Sequence, residues 1–308
     1  MGQTQSVYSP AFETFIGNYV YVADKPPVEI GVIMQKKANA SEKIVLATRI
    51  FEDTAALESS LKLVTTMHDY HHPNLANVLA HSEKNEFQCL NQTFRHAIAV
   101  EYPNCSLQAL IRTKAEGVKE PHCWYILKAL ADLCNYMAKS GLPLGEISPA
   151  NVLIDDGGDI KVLNLDLLTG FRTCLERGFN LPGYHTSFAP EQLERLNHLN
   201  RSLDGIDVGK TEVFGIGMTL LCVATDEYID AYYEWSSYVV NFDKVVKKIN
   251  QLKNKQFSEE FIKLLAATLE PQPENRMPLV ELVYRIEEHT NPGRKKGLST
   301  ILGLRGKG

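Results

Sequence analysis

The hydrophobic periodicity of the chain changes near Tyr102, and this change limits the folds that it can adopt. Before that point, segments rich in Val, Ile, Tyr and Phe are separated by turn clusters, a pattern typical of strands. The predicted strands are residues 15–22, 29–36, 43–51 and 98–102. Between the last two, residues 53–70 carry apolar side chains at helical spacing. The first hundred residues therefore predict a sheet with one helix against it.

After Tyr102 the pattern is mainly helical. Helices are predicted over residues 123–137 and 212–223 and over two segments within 257–289. Two short apolar strands, 152–154 and 160–163, are joined by Asp155-Asp156-Gly157-Gly158-Asp159, which favours a tight hairpin turn. The predicted fold class is α+β and bilobal. A β-rich lobe covers about residues 13–102, and a larger helical lobe covers about 103–290.

Composition excludes several classes of protein. With 308 residues, 44% hydrophobic and 22% charged, the chain is ordinary for a globular protein and is not disordered in bulk. A formal net charge of -5 does not supply the basic field of a nucleic-acid binder, so no nucleic-acid partner is expected. The six cysteines form no Cys-x-x-Cys pair and read as reduced thiols of a cytoplasmic protein. No uninterrupted apolar run predicts a membrane span or a secretory signal.

The two ends of the chain suggest a membrane surface. Residues 1–6 fit the N-myristoylation pattern, which exposes Gly2 after removal of Met1. The C-terminal tail, residues 291–308, has no acid and five cations, which are Arg294, Lys295, Lys296, Arg305 and Lys307. One acyl chain with a basic patch can hold a protein at a membrane. The alternative for residues 1–12 and for the C-terminal tail is two plain solvated tails.

Six short motifs follow one another in a fixed order. They are His72-Pro73-Asn74-Leu75, Leu144-Gly145-Glu146 with Asn151, Asn164-Leu165-Asp166, Ala189-Pro190-Glu191, Glu212-Val213-Phe214-Gly215-Ile216-Gly217, and Arg276. Each is short, but together, in this order and at this spacing, they resemble the protein-kinase family. The resemblance extends over about residues 15–289.

The resemblance implies roles for residues of the second lobe. Glu146 stands where the family has its catalytic aspartate, and Asn151 matches the asparagine that holds magnesium. Asn164 replaces the aspartate that binds the metal, and Asp166 is the nearest carboxylate that could substitute for it. No metal is therefore expected; Asn151 and Asp166 would hold it in an active enzyme.

The other matched residues of this lobe imply structural roles. Glu191 and Arg276 correspond to an ion pair inside the large lobe. Glu212 begins the next long helix.

The resemblance also implies a damaged phosphate site in the first lobe. The family's glycine-rich turn corresponds to Ala23-Asp24-Lys25-Pro26-Pro27, which has no glycine and two residues without an N–H. Arg49 replaces the family's lysine, and the glutamate that should hold it would fall near Leu63, where no acid occurs. Nucleotide-contacting positions remain apolar at Ala47, Val100 and Leu153, with Tyr102 in the hinge. Any ATP binding is expected to be weak and without magnesium.

These departures predict a catalytically inactive kinase-like domain, a pseudokinase. Its expected role is that of a scaffold, adaptor or allosteric subunit with protein partners in a cytoplasmic, cytoskeletal or membrane-associated assembly. Residues 167–187 and 195–210 are candidate partner surfaces, or else plain surface loops. One alternative is a divergent active Ser/Thr kinase that uses Glu146, Asn151, Asp166 and Arg49. Another is a metal-independent nucleotide switch.

Overall fold

A computed structural model describes most of the chain. The described residues are 10–22, 31–51, 54–82, 85–88, 92–103, 105–113, 118–155, 157–164, 175, 178, 186–200, 202, 204–287 and 289. Several predictions lie outside them: the lipidation site at Gly2, the turn 23–27, Asp166, most of residues 167–187 and the C-terminal tail. The chain divides into two compact units. The first is Met1–Asn104 with Leu163–Arg172, and the second is Cys105–Val162 with Thr173–Gly308.

The first unit is built on a six-stranded antiparallel sheet. Its elements in chain order are α1 (Pro10–Ile16), β1 (Tyr19–Tyr21), β2 (Val32–Lys36), β3 (Asn39–Phe51), α2 (Thr54–His68), β4 (Val78–His81), β5 (Asn85–Gln88) and β6 (Gln92–Glu101). The strand order is β1-β2-β3-β6-β4, and β5 also pairs with β6. Helix α2 packs against β3, β4 and β6.

Alternation along β3 decides which side chains enter the core of this unit. Ala47 and Arg49 are buried, whereas Thr48 and Ile50 are exposed, as expected when successive side chains point to opposite faces. In the pairing with β6, Arg49 lies opposite His96. The buried face of α2 includes Leu57, Ser60, Val64 and Met67. One polar side chain, Ser60, thus lies within an apolar stripe.

The predicted strand 15–22 is wrong in its first part, because helix α1 extends to Ile16. Phe12 is buried in a cluster against which Phe15 and Ile16 pack, and this i, i+3, i+4 spacing holds the segment as a helix. The N-terminal tail predicted for residues 1–12 thus overlaps the start of α1. Strands β4 and β5 were not predicted, and β6 begins before the predicted residue 98.

The second unit is mainly helical, with two small sheets, β7-β8-β9 and β10-β11. Its elements are β7 (Cys105–Ser106), α3 (Leu107–Thr113), α4 (Glu120–Lys139), β8 (Val152–Ile154), β9 (Ile160–Val162), α5 (Pro190–Asn197), α6 (Val208–Thr225), β10 (Tyr233–Glu234), β11 (Val239–Val240), α7 (Phe242–Gln251), α8 (Glu259–Thr268) and α9 (Leu279–Glu287), with 3-10 turns at Ile229–Tyr232 and Leu252–Lys255. In the turn between β8 and β9, Asp155 Oδ1 accepts the N–H groups of Gly157 and Asp159 at 2.8 Å.

Helix α6 forms the centre of the second unit and contacts α3, α4, α7, α8 and α9. Within the described residues it is the one helix that is long and apolar enough to cross a membrane, judged by length and composition alone. Yet 78% of it is buried inside the protein, as in the core helix of a globular domain. Lys210 and Glu212 interrupt its apolar sequence.

Candidate functional site

The loop between α4 and β8 carries two of the predicted catalytic positions, and Asn151 holds this loop together. Its Oδ1 accepts the Ser148 N–H at 2.8 Å and the Ser148 hydroxyl at 3.2 Å. Its Nδ2 donates to the Glu146 carbonyl oxygen at 2.9 Å. The side chain is almost fully buried. Asn151 therefore directs its amide into the loop's own backbone.

The carboxylate of Glu146 also bonds within the second unit. Its Oε1 accepts a hydrogen bond from the hydroxyl of Thr186, a residue three positions before Ala189. Both residues are buried. Glu146 is the only acid in this loop, and one of its carboxylate oxygens thus already accepts a hydrogen bond from the protein itself.

Glu212 on α6 binds the backbone of the same loop. Its Oε1 accepts the N–H of Gly145 at 2.9 Å, and Gly145 has a φ of 85°, a conformation that favours glycine. Burial raises the pKa of Glu212 to about 7, against the opposing effect of hydrogen bonds from the Gly145 and Leu144 backbone. One turn along α6, a Cβ on Gly215 would lie 2.9 Å from the Ile147 carbonyl oxygen. The helix and the loop are therefore in close contact.

Glu191 and Arg276 form a bidentate ion pair. Arg276 Nη1 and Nη2 donate to the two carboxylate oxygens at 2.8 and 3.0 Å. Its remaining N–H groups donate to backbone carbonyls, among them those of Glu270 and Lys210. The guanidinium also lies over the ring of Phe214 at 4.9 Å. The arginine side chain has no exposed surface, so this pair is part of the core.

Arg49, in the first unit, contacts a hydroxyl where the family has a carboxylate. Its Nη1 donates to Ser60 Oγ at 2.8 Å, and Ser60 Oγ lies 2.9 Å from His96 Nδ1. All three residues are buried. Burial, with the charges of Arg49 and His81, lowers the pKa of His96 to about 3, so the imidazole is neutral. Leu63, where the sequence comparison located the missing glutamate, is three residues further along α2.

The apolar positions are divided between the two units. Ala47 and Val100 are buried in β3 and β6 of the first unit, and the N–H of Tyr102 donates to the Lys43 carbonyl oxygen at 3.0 Å. Leu153 is buried in β8 of the second unit. Asn164 follows β9 and is buried, whereas its proposed substitute Asp166 lies outside the described residues.

Four residues that take part in these hydrogen bonds were missed from the sequence, Ser60 and His96 in the first unit and Ser148 and Thr186 in the second. Ser60 left a signal, since it is polar within an apolar helical stripe. The other three left none, because their roles depend on partners that are distant or that only the folded loop brings together. Thr186, for example, is 40 residues from Glu146.

The family implies ATP with magnesium, and the described residues do not fit a magnesium ion. The oxygen of Asn151 that would face the metal already accepts two hydrogen bonds. Asn164 offers a neutral oxygen where magnesium prefers a carboxylate. Within the described part of the chain, no group of three or more His, Cys, Asp or Glu side chains could hold a metal ion.

Comparisons with known proteins agree with this architecture. Over 164 residues the chain is 28% identical to serine/threonine-protein kinase cds1 of Schizosaccharomyces pombe. That match covers 52% of this chain and 34% of the relative, so the chain spans about a third of that protein. A crystal structure of Rad53 1-466 in complex with AMP-PNP superposes with a TM-score of 0.61 at 13% identity. The superposition covers 88% of this chain and 65% of the Rad53 chain, and it confirms the predicted α+β kinase-like fold.

The family model for protein tyrosine and serine/threonine kinases matches residues 27–286. This range contains all six motifs on which the resemblance was based. Because the match covers most of the chain, this protein belongs to the protein tyrosine and serine/threonine kinase family.

Proposed function

We propose that this kinase-family protein does not transfer phosphoryl groups and acts by binding, as a pseudokinase. Its role is that of a scaffold, adaptor or allosteric subunit in a cytoplasmic, cytoskeletal or membrane-associated assembly. One observation carries the proposal: the Oδ1 atom of Asn151 accepts two hydrogen bonds from Ser148. A carbonyl oxygen with both lone pairs occupied has none left for a metal.

The charge at the metal positions supports the same conclusion. Phosphoryl transfer depends on magnesium to neutralise the charge on the phosphates. Asn151 and Asn164 together supply no negative charge, and a hard divalent cation loses much of its attraction when its carboxylate ligand becomes an amide. These two positions therefore do not neutralise a triphosphate through a metal, which leaves cations of the protein, such as Arg49.

Arg49 adds a second difficulty for phosphate binding. Its Nη1 already donates to Ser60, on a helix of the same unit, and its side chain is buried. A phosphate that drew Nη1 away would leave the Ser60 oxygen without this donor inside the core, and a buried acceptor that loses its partner costs about 1–3 kcal/mol.

The test uses the full chain with labelled ATP and magnesium. We expect no autophosphorylation, and any rise of melting temperature with ATP should be unchanged by a chelator. Asn164→Asp restores a carboxylate to the metal position, so this variant should gain a magnesium-dependent rise. Autophosphorylation of the natural chain that Glu146→Ala abolishes would overturn the proposal.

A divergent active Ser/Thr kinase is the second candidate, and one observation favours it. Glu146 keeps a carboxylate that accepts a hydrogen bond from a hydroxyl, as a base must do toward a substrate hydroxyl. The serine/threonine-protein kinase cds1 is also among the proteins similar to this chain. The autophosphorylation assay distinguishes the two candidates. A nucleotide switch, like the leading candidate, would show no autophosphorylation, but it requires an ATP-dependent rise of melting temperature that needs no magnesium.

We also propose that Gly2 is myristoylated and that the cations of residues 291–308 assist binding to anionic membranes. Co-expression with an N-myristoyltransferase, followed by sedimentation with phosphatidylserine vesicles, tests this. Gly2→Ala should abolish vesicle binding at physiological salt. Vesicle binding that is unchanged in this variant would contradict the lipid anchor.

A further inference from the structure

Helices α8 and α9 enclose a surface groove of about 750 Å³. Leu264 lies in the groove and is buried, and Tyr284 lines it with 68% of its surface exposed. Val280, one turn earlier on the same face of α9, is 76% exposed. Two large exposed apolar side chains one turn apart form an apolar strip on which the apolar side chains of a bound segment can pack.

The charges on the groove favour a cationic occupant. Three acids line it, Glu259, Glu260 and Glu281, together with two cations, Lys263 and Arg285. Each cation is already paired with an acid of its own helix, Lys263 with Glu259 and Arg285 with Glu281. Exposed pairs of this kind contribute little, so an incoming cation can replace them at small cost. Glu260 is the third acid, and its described partner is His289.

The described chain ends at this groove. His289 Nε2 lies 2.6 Å from Glu260 Oε1, and the imidazole stacks on Trp124 with 4.4 Å between ring centroids. His289 is therefore fixed beside one of the lining acids, and the 19 residues 290–308 continue from this point. An extended chain of that length reaches about 60 Å, which is far more than the groove requires.

The sequence of these residues complements the groove. The C-terminal tail has five cations and no acid, with Leu298, Ile301, Leu302 and Leu304 between the two basic clusters. Cations can pair with Glu259, Glu260 and Glu281, while the aliphatic side chains can cover Tyr284 and Val280. Because the tail is tethered at the groove, its effective concentration there is about millimolar, so weak contacts suffice.

We propose that residues 291–308 bind in the groove between α8 and α9 of their own chain. The inference does not depend on the proposed function, since none of these residues belongs to the catalytic loop. It has one consequence for membrane binding. The cations of a tail held in the groove are not available to an anionic membrane, so release of the tail would precede its binding there.

The test is hydrogen exchange of the full chain, read by mass spectrometry. A tail variant replaces its five cations with serine, and a groove variant combines Glu260→Lys with Glu281→Lys. We expect both variants to increase exchange about fivefold in residues 294–305 and in the peptide that contains Tyr284. A matched control reverses two exposed acids elsewhere, Glu194→Lys with Asp204→Lys, and should change neither.

A separate variant tests the apolar contact without a change of charge. Tyr284→Ser removes an exposed ring, so it should not unfold the domain, yet it should release the tail. Tyr238→Ser, at another exposed tyrosine, is its control. Two results would overturn the proposal. One is a tail that exchanges as fast in the natural chain as in the tail variant. The other is protection that grows with protein concentration, which would indicate that the groove binds a second copy.

Discussion

Arg49 Nη1 donates a hydrogen bond of 2.8 Å to Ser60 Oγ, and the same hydroxyl lies 2.9 Å from His96 Nδ1. Because Ser60 accepts from Arg49, its own hydrogen can point to a neutral His96. The nearby guanidinium lowers the pKa of His96 further below its usual range, in addition to the larger effect of burial. A buried cation is thus joined to α2 through a serine hydroxyl.

The low pKa of His96 predicts sensitivity to acid. The folded protein holds this imidazole neutral down to about pH 3, whereas the unfolded chain binds the proton near 6.5. Stability is therefore full above pH 6.5 and falls as the pH decreases toward 3. Between pH 7 and 5 we expect His96 to account for a loss of about 2 kcal/mol in the free energy of unfolding.

Urea unfolding at pH 7 and pH 5 measures this loss. In His96→Gln the free energy of unfolding at pH 5, relative to that at pH 7, should be higher than in the natural chain by most of that amount, because glutamine does not titrate. His198→Gln, at an exposed position of the second unit, should leave the difference as it is in the natural chain. An unchanged difference in His96→Gln would show that His96 is protonated without cost.

The pair of Glu191 and Arg276 predicts a large loss of stability when the arginine is removed. Arg276→Ala removes the two hydrogen bonds that Arg276 donates to the Glu191 carboxylate. It also removes those that Arg276 donates to backbone carbonyl oxygens. We expect the free energy of unfolding to fall by about 3–5 kcal/mol. Arg285→Ala removes an exposed ion pair instead and should cost less than about 1 kcal/mol. Equal losses in the two urea titrations would contradict the structural role of Arg276.

The sequence predicted the larger elements because their patterns are long. Helices α2, α4 and α6 and the hairpin of β8 and β9 each combine a clear apolar period with a recognisable boundary. From the sequence, the end of helix α1 was assigned to a strand and its start to the N-terminal tail, because seven residues give barely two turns of period. Its conformation is decided by the burial of Phe12 against the sheet.

The candidate functional residues were likewise predicted in part. Short sequence motifs located Glu146, Asn151, Glu191 and Arg276. The hydrogen-bond partners of these residues could not be predicted from the sequence, because the hydrogen bonds join positions far apart in the chain. Ser60 is the clearest case: the sequence indicated that Arg49 lacks a glutamate but not that a serine one turn closer replaces it.

The contact between α6 and the loop after α4 predicts that Gly215 does not tolerate a side chain. A Cβ there would lie 2.9 Å from the Ile147 carbonyl oxygen, and a backbone atom cannot move aside as a flexible side chain can. We expect Gly215→Ala to lower the free energy of unfolding by about 1–3 kcal/mol. Gly209→Ala is the matched control in the first turn of α6, where the nearest atom is a side-chain oxygen of Asp207 at 3.3 Å. Thermal unfolding of the two variants checks the difference.

Glu212 predicts a pH dependence of the opposite sign to that of His96. Burial raises its pKa from 4.5 to about 7. The folded state thus binds the proton more tightly than the unfolded state between these values. The stability that the protonated form contributes is present below pH 4.5 and is lost as the pH rises through about 7.

Glu212→Gln keeps an oxygen for the Gly145 N–H but removes the buried charge. The free energy of unfolding of this variant, relative to the natural chain, should therefore rise by about 2–3 kcal/mol between pH 5 and pH 8. Glu194→Gln on the surface should show no such rise. Because His96 and Glu212 act in opposite directions between pH 4.5 and 6.5, the natural chain alone can show little net change there. Only the two single variants, measured by urea unfolding across this range, separate the contributions. A Glu212→Gln difference that stays flat with pH would mean that the carboxylate is ionised in the core at little cost.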